Sequence, residues 1–150
     1  MIDLKQELYL YCVREIDSRI GNLRNSLKGF QEAANEETKS SAGDKYETGR
    51  AMMHLEKEKV AHSLNEVLKQ KKVLDMLKPE LSKTKVELGS LVKTSKGLFF
   101  LSISLGQVKA GGETVFCISP VSPIGQVLLG AEKSASVTFN KMDYSILDLV

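Results

Sequence analysis

The sequence predicts an α+β fold in which a long antiparallel helical hairpin precedes a small strand-rich domain. Three observations carry that prediction. The first is a break in composition near Pro79: residues 1–80 hold 14 basic and 14 acidic side chains, residues 81–150 only 7 and 5. Glycine shifts the other way, from 4 to 7, and all three prolines (Pro79, Pro120, Pro123) stand at or beyond the break. The second is a heptad of apolar residues in the charged part. The third is a set of short apolar runs, separated by turn residues, in the remainder. Pro79 cannot continue a helix, so the expected domains are 1–79 and 80–150.

The first helix is expected from about Ile2 to Thr38. Tyr9, Val13, Ile16, Ile20, Leu23, Leu27, Phe30 and Ala34 alternate spacings of four and three, which holds one apolar seam along a helix. Gly21 and Gly29 weaken it by about 1 kcal/mol each relative to Ala. Thr38 to Gly43 (TKSSAG) is a turn cluster, and the tip is placed near 38–48. A second helix is expected from about Asp44 to Lys78, with Tyr46, Met53, Val60, Val67 and Leu74 at sevens and Leu64 between. Lys57 and Lys71 interrupt its intermediate positions. At 1.5 Å per residue each arm is roughly 50 Å long. One narrow apolar stripe per arm suits a hairpin projecting into solvent as a monomer. The same pattern suits two hairpins dimerising into a four-helix bundle.

Five strands are expected beyond the break: Val86 to Thr94, Leu98 to Ser104, Glu113 to Ser119, Ser136 to Asn140 and Tyr144 to Val150. Gly111-Gly112 is a turn pair. Between the third and fourth strands Ser122 to Gly130 reads as one short helix. Ser122 is its N-cap, Pro123 its first position and Gly130 its stop.

Composition excludes several functions. The net charge of +2 rules out a polybasic DNA-coating protein, and 6% aromatics without Trp argues against a base-stacking platform. Basic residues such as Arg14, Arg19, Arg24, Lys28 and Lys39 can attract a nucleic-acid backbone, but acidic residues are interleaved among them. Cys12 and Cys117 have no Cys or His partner at zinc-ligand spacing; they allow one disulfide on paper and read rather as two free thiols of a cytoplasmic protein. The apolar run Leu8 to Val13 is too short and too flanked by charge for a membrane span. His54 and His62 lack carboxylate or Cys partners at ligand spacing, and Ser40, Ser41 and Ser122 have no relay to a His and an Asp.

One constellation carries chemistry. Asp44 and Glu47 stand three apart at the start of the second helix, which puts both carboxylates on one face. Mg²⁺ takes one or two protein carboxylates and fills its remaining positions with water or phosphate. Asp-x-x-Glu at a helix start equally satisfies a capping box and the helix dipole. Both readings stand on the spacing.

The stretch Ile118-Ser119-Pro120-Val121-Ser122-Pro123-Ile124-Gly125-Gln126-Val127-Leu128-Leu129-Gly130 resembles the SP-(I/L)-G-x-A-L-(L/I)-G signature of bacterial Gre-type transcript cleavage factors, with Val127 at the usual alanine. Val86-x-x-Gly89-x-x-Val92 is similar to the family's opening strand, and Tyr144-x-Ile146-Leu147 to its closing one. Gly43-Asp44-x-x-Glu47 resembles the tip motif G-D-L-S-E-N. The resemblance implies an FKBP-like C-terminal domain that docks on RNA polymerase at its secondary channel, with Ser122, Pro123, Ile124 and Gly125 as partner-binding residues. It implies that Asp44 and Glu47 enter the channel, help hold the second Mg²⁺ of the polymerase and orient a water near the 3′ end of the nascent RNA. The chain is then a transcription elongation factor and a co-catalyst of the polymerase, not an enzyme, and binds no cofactor alone. Lys45-Tyr46 replaces the family's Leu-Ser, and Thr48-Gly49-Arg50 its Asn-Ala-Glu. That added positive charge opens the alternative of a regulator that occupies the channel without cleavage. A peptidyl-prolyl isomerase or chaperone ranks lower, because such pockets are aromatic-lined and aromatic residues are sparse here.

Overall fold

The structure, a computed structural model, describes residues 1–37 and 43–150, with side chains described for 1–36 and 47–150. Two long helices come first, α1 (Ile2–Glu37) and α2 (Gly43–Asp75). Six strands and a short helix follow: β1 (Leu91–Thr94), β2 (Gly97–Leu101), β3 (Gly106–Ala110), β4 (Glu113–Ile118), α3 (Pro123–Leu128), β5 (Ser136–Phe139) and β6 (Met142–Leu149). The fold is α+β. The expected turn at 38–42 lies outside the described residues. Among the described residues no helix is long and apolar enough to cross a membrane.

By packing, the chain forms two compact units, one of residues 15–71 and one of residues 1–14 with 72–150. In the first, Asp17 on α1 pairs with Lys71 on α2 at 2.8 Å, and Gln31 with Lys57 at 3.5 Å. Advancing two heptads on α1 retreats two heptads on α2, so the helices run antiparallel. Ile16 and Ile20 are buried, while Leu23, Leu27, Phe30, Met53, Val60, Leu64 and Val67 are half-buried. The lysines that interrupt the α2 seam therefore fit it. Their stems lie along the half-buried stripe and their ammonium groups reach polar partners on α1.

α2 stops at Asp75, before the expected Lys78. The Met76 and Leu77 amides bond to the carbonyls of Val73 and Leu74, a tightening of the last turn ahead of Pro79.

The second unit holds one sheet, ordered β3-β4-β2-β1-β6-β5. Every pairing is antiparallel except β2 with β4. One face carries Val92, Phe99, Leu101, Tyr144 and Ile146, packed with Leu128 and Ile124 of α3. The register places Leu91, Leu98, Phe100, Val115 and Cys117 on the other face. The first turns of α1 cover that face. Lys5, Leu8 and Cys12 are buried, and Glu7 accepts a hydrogen bond from the Gly111 amide at 3.1 Å.

Three expectations change. The buried stripe at the start of α1 is Lys5, Leu8 and Cys12, whereas the heptad pointed to Tyr9 and Val13, which are half-buried. The segment from Val86 is strand only from Leu91. Before that, Val86 exchanges hydrogen bonds with Gly130 and Ala131, and the chain turns at Gly89 with φ +91°. The sheet has a sixth strand, β3, which ends in the turn Gly111-Gly112, both residues having positive φ. That geometry suits a tight hairpin between right-twisted strands.

Lys5 is 0% exposed, and its ammonium donates to the Leu81 carbonyl at 2.6 Å. Burial holds its pKa below the ordinary lysine value, and nearby Lys83 acts in the same direction.

Candidate functional site

α2 starts at Gly43, so Asp44 is its second residue and Glu47 follows one turn later. The helical backbone keeps the two positions on one face. The Asp44 side chain lies outside the described residues, and so does any geometry between the two carboxylates. Glu47 is exposed. With Arg50, Ala51 and His54 it lines a shallow groove of about 360 Å³. Arg50 sits three residues on from Glu47, within reach along the helix surface. A guanidinium there opposes cation binding by the neighbouring carboxylate. Among the described residues no group of three or more His, Cys, Asp or Glu side chains could hold a metal ion. His54 and His62 are exposed on α2.

The corner from Ser119 to Gly125 is built by local hydrogen bonds. The Ser119 carbonyl accepts from the Ser122 amide at 3.0 Å and from the Ser122 hydroxyl at 2.6 Å. The Ser122 hydroxyl in turn accepts from the Gly125 amide at 3.2 Å, the N-cap bond of α3. Pro123 follows at the first helical position, where its missing N–H costs nothing. Gln126 closes the loop from outside, donating to the Val121 carbonyl at 3.0 Å. Gly125 is buried against this corner, and a Cβ there would overlap the Ser119 carbonyl oxygen. Gly130, with φ +80°, ends the segment.

These contacts sort the four residues expected to bind a partner. Ser122 and Gly125 hold the corner, and Ile124 packs against the core. Pro123 is exposed. The most exposed large apolar side chain among the described residues is Val121, at 78%. Val121 was not among the four residues expected from the sequence. Its signal was an apolar residue isolated between two Ser/Pro turn pairs.

No family model matches the chain, and no curated protein matches it. A solved structure described as "Structure of the transcription factor Gfh1" is similar over 94% of this chain and 92% of its own, at 19% identity and a TM-score of 0.31.

Proposed function

We propose that this protein is a Gre-type transcription factor that acts on RNA polymerase through its secondary channel. The 119–125 corner, on an FKBP-like domain, makes the docking contact, and the start of α2 is the effector end. The observation that carries the reading is the corner itself. The residues that resemble the Gre signature are those whose chemistry the corner demands: a capping serine, a proline at the first helical position, and a glycine where no Cβ fits. Held this way, the loop offers Val121 as a rigid apolar contact. The preceding antiparallel helices supply reach, and Asp44 and Glu47 supply oxygen ligands. A weakly held Mg²⁺ in the polymerase needs only one or two such oxygens to complete its shell, and the polymerase's two-metal chemistry then hydrolyses backtracked RNA. The protein contributes ligands in trans and no complete active site.

The test is a stalled, backtracked elongation complex given the purified protein and Mg²⁺. Shortened RNA is expected, and Asp44→Asn and Glu47→Gln should each reduce shortening without reducing binding. Absence of shortening at concentrations where binding is measured removes the cleavage role.

Arg50 beside Glu47 favours a second reading, a regulator that occupies the channel without cleavage. Competition with an authentic cleavage factor, with RNA length unchanged, identifies it.

A further inference from the structure

Cys12 and Cys117 are 105 positions apart in the sequence, yet both belong to the unit formed by residues 1–14 and 72–150. Both are free thiols and fully interior, at 0% and 1% exposure. Register places Cys117 on the sheet face away from α3, directly between Phe100 on β2 and Gly106 on β3. The α1 stripe of Lys5, Leu8 and Cys12 covers that face, which sets Cys12 against Cys117, close enough that each thiol acts on the other's ionisation. Gly106 offers no side chain beside Cys117. A third polar group completes the cluster. Ser102, the next residue after β2, is 2% exposed, and its hydroxyl finds no hydrogen-bond partner among the described residues.

We propose that Cys12 and Cys117 are a modification site: a buried dithiol that closes to an intramolecular disulfide on exchange with a low-molecular-weight disulfide, fastening the first turns of α1 to β4. The Cys12 thiolate attacks one sulfur of the oxidant and expels a thiolate, leaving a mixed disulfide. The Cys117 thiolate then attacks the Cys12 sulfur and expels the second. Two protein thiols are oxidised, one external disulfide is reduced to two thiols, and the two protons pass to the leaving groups. The order follows from the surroundings. The neighbouring Cys117 thiol holds the Cys12 pKa below the ordinary thiol value against the effect of burial. Cys117 is pushed up, first by the Cys12 thiol beside it, then by burial and by charge repulsion from Cys12. Because both sulfurs are interior, the oxidant reaches them when the start of α1 lifts from the sheet. The rate reports that opening, and the equilibrium reports how well the closed fold pairs the sulfurs.

The experiment equilibrates the full chain with mixtures of reduced and oxidised glutathione, with and without denaturant, and reads the products by intact mass and peptide mapping. In the folded chain the Cys12–Cys117 disulfide is expected at a ratio of oxidised to reduced glutathione roughly 100-fold lower than in denaturant, where a long loop must be closed. The oxidised chain should melt on the order of 10 °C higher than the reduced one. Cys117→Ser should trap glutathione on Cys12. Equal oxidation in both conditions, thiols that persist only in the folded chain, or products limited to glutathione adducts and intermolecular disulfides each overturn the proposal. The wild-type comparison decides the matter even where a cysteine variant fails to fold.

Discussion

Gly125 packs against the Ser119 carbonyl so closely that a single added methyl group has no place between them. The corner is thus set by backbone proximity as much as by hydrogen bonding. Gly125→Ala should cost about 1–3 kcal/mol, since neither the carbonyl nor the first turn of α3 can withdraw without breaking the bonds around Ser122. Urea unfolding followed by circular dichroism measures this, and an unchanged midpoint counts against the packing described.

Ser122 acts at two places in the same corner. Ser122→Ala should lose about 1 kcal/mol through the α3 cap, and Ser122→Asp should recover part of it, because a carboxylate accepts from the Gly125 amide but cannot donate to the Ser119 carbonyl. Full recovery in the same unfolding assay means that the donated bond contributes nothing.

Val121 gives the complementary case. Its side chain is exposed, so Val121→Asp should leave stability within about 0.5 kcal/mol of the parent. If the corner docks on polymerase as proposed, the same change should weaken that binding severalfold in a pull-down or anisotropy titration. Stability and affinity falling together would mean instead that Val121 supports the loop.

Lys5 predicts a pH effect of definite sign. Its pKa is lower in the folded chain than in the unfolded one, so between those two values the unfolded chain holds more protons. Stability therefore rises with pH through that window, which ends at the ordinary lysine value of 10.5. Lys5→Met should abolish the rise and leave neutral-pH stability equal or improved, because a buried ammonium is costly to desolvate. Denaturant midpoints of both proteins at neutral and alkaline pH test this, and a parallel pH dependence would show that another group is responsible.

Asp17 and Lys71 test the antiparallel register of residues 15–71. Asp17→Lys should cost about 0.2–1 kcal/mol, and adding Lys71→Asp should restore part of it. Additive losses in the double variant would place the two side chains apart in solution.

How much of this was legible in the sequence depends on range. The α1 heptad from Ile16 onward was readable because its partner is another helix, and helix pairs repeat every seven residues. Ahead of Ile16 the same helix lies on a sheet, and the buried positions become Lys5, Leu8 and Cys12; no periodicity would nominate a lysine. The cap at Ser122 was readable because its partner is three residues away. β3 was missed because Gln107 and Lys109 alternate with only Val108 and Ala110, as suits an edge strand. Its signal was Gly111-Gly112, since a tight hairpin turn ahead of β4 requires a strand on its other side. The approach of Cys12 to Cys117 depends on where α1 settles across a completed sheet, and no local pattern encodes it. At the start of α2 the spacing of Asp44 and Glu47 and the positive charge of Arg50 were readable because all three lie within two turns of one helix, whereas the groove that Glu47 and Arg50 line with His54 needed the structure.

The order of strands has a consequence for synthesis on the ribosome. β1 sits between β2 and β6, and the amide and carbonyl of Leu91 are both bonded to Val150. A nascent chain that has released residues 1–130 therefore still lacks the partner for one side of β1. Until residues 142–150 emerge, β1 presents an open ladder of amides and carbonyls to its surroundings. The interval of translation between those points is when the chain is most open to pairing with a stranger, and a chaperone that shields an unpaired strand would act there.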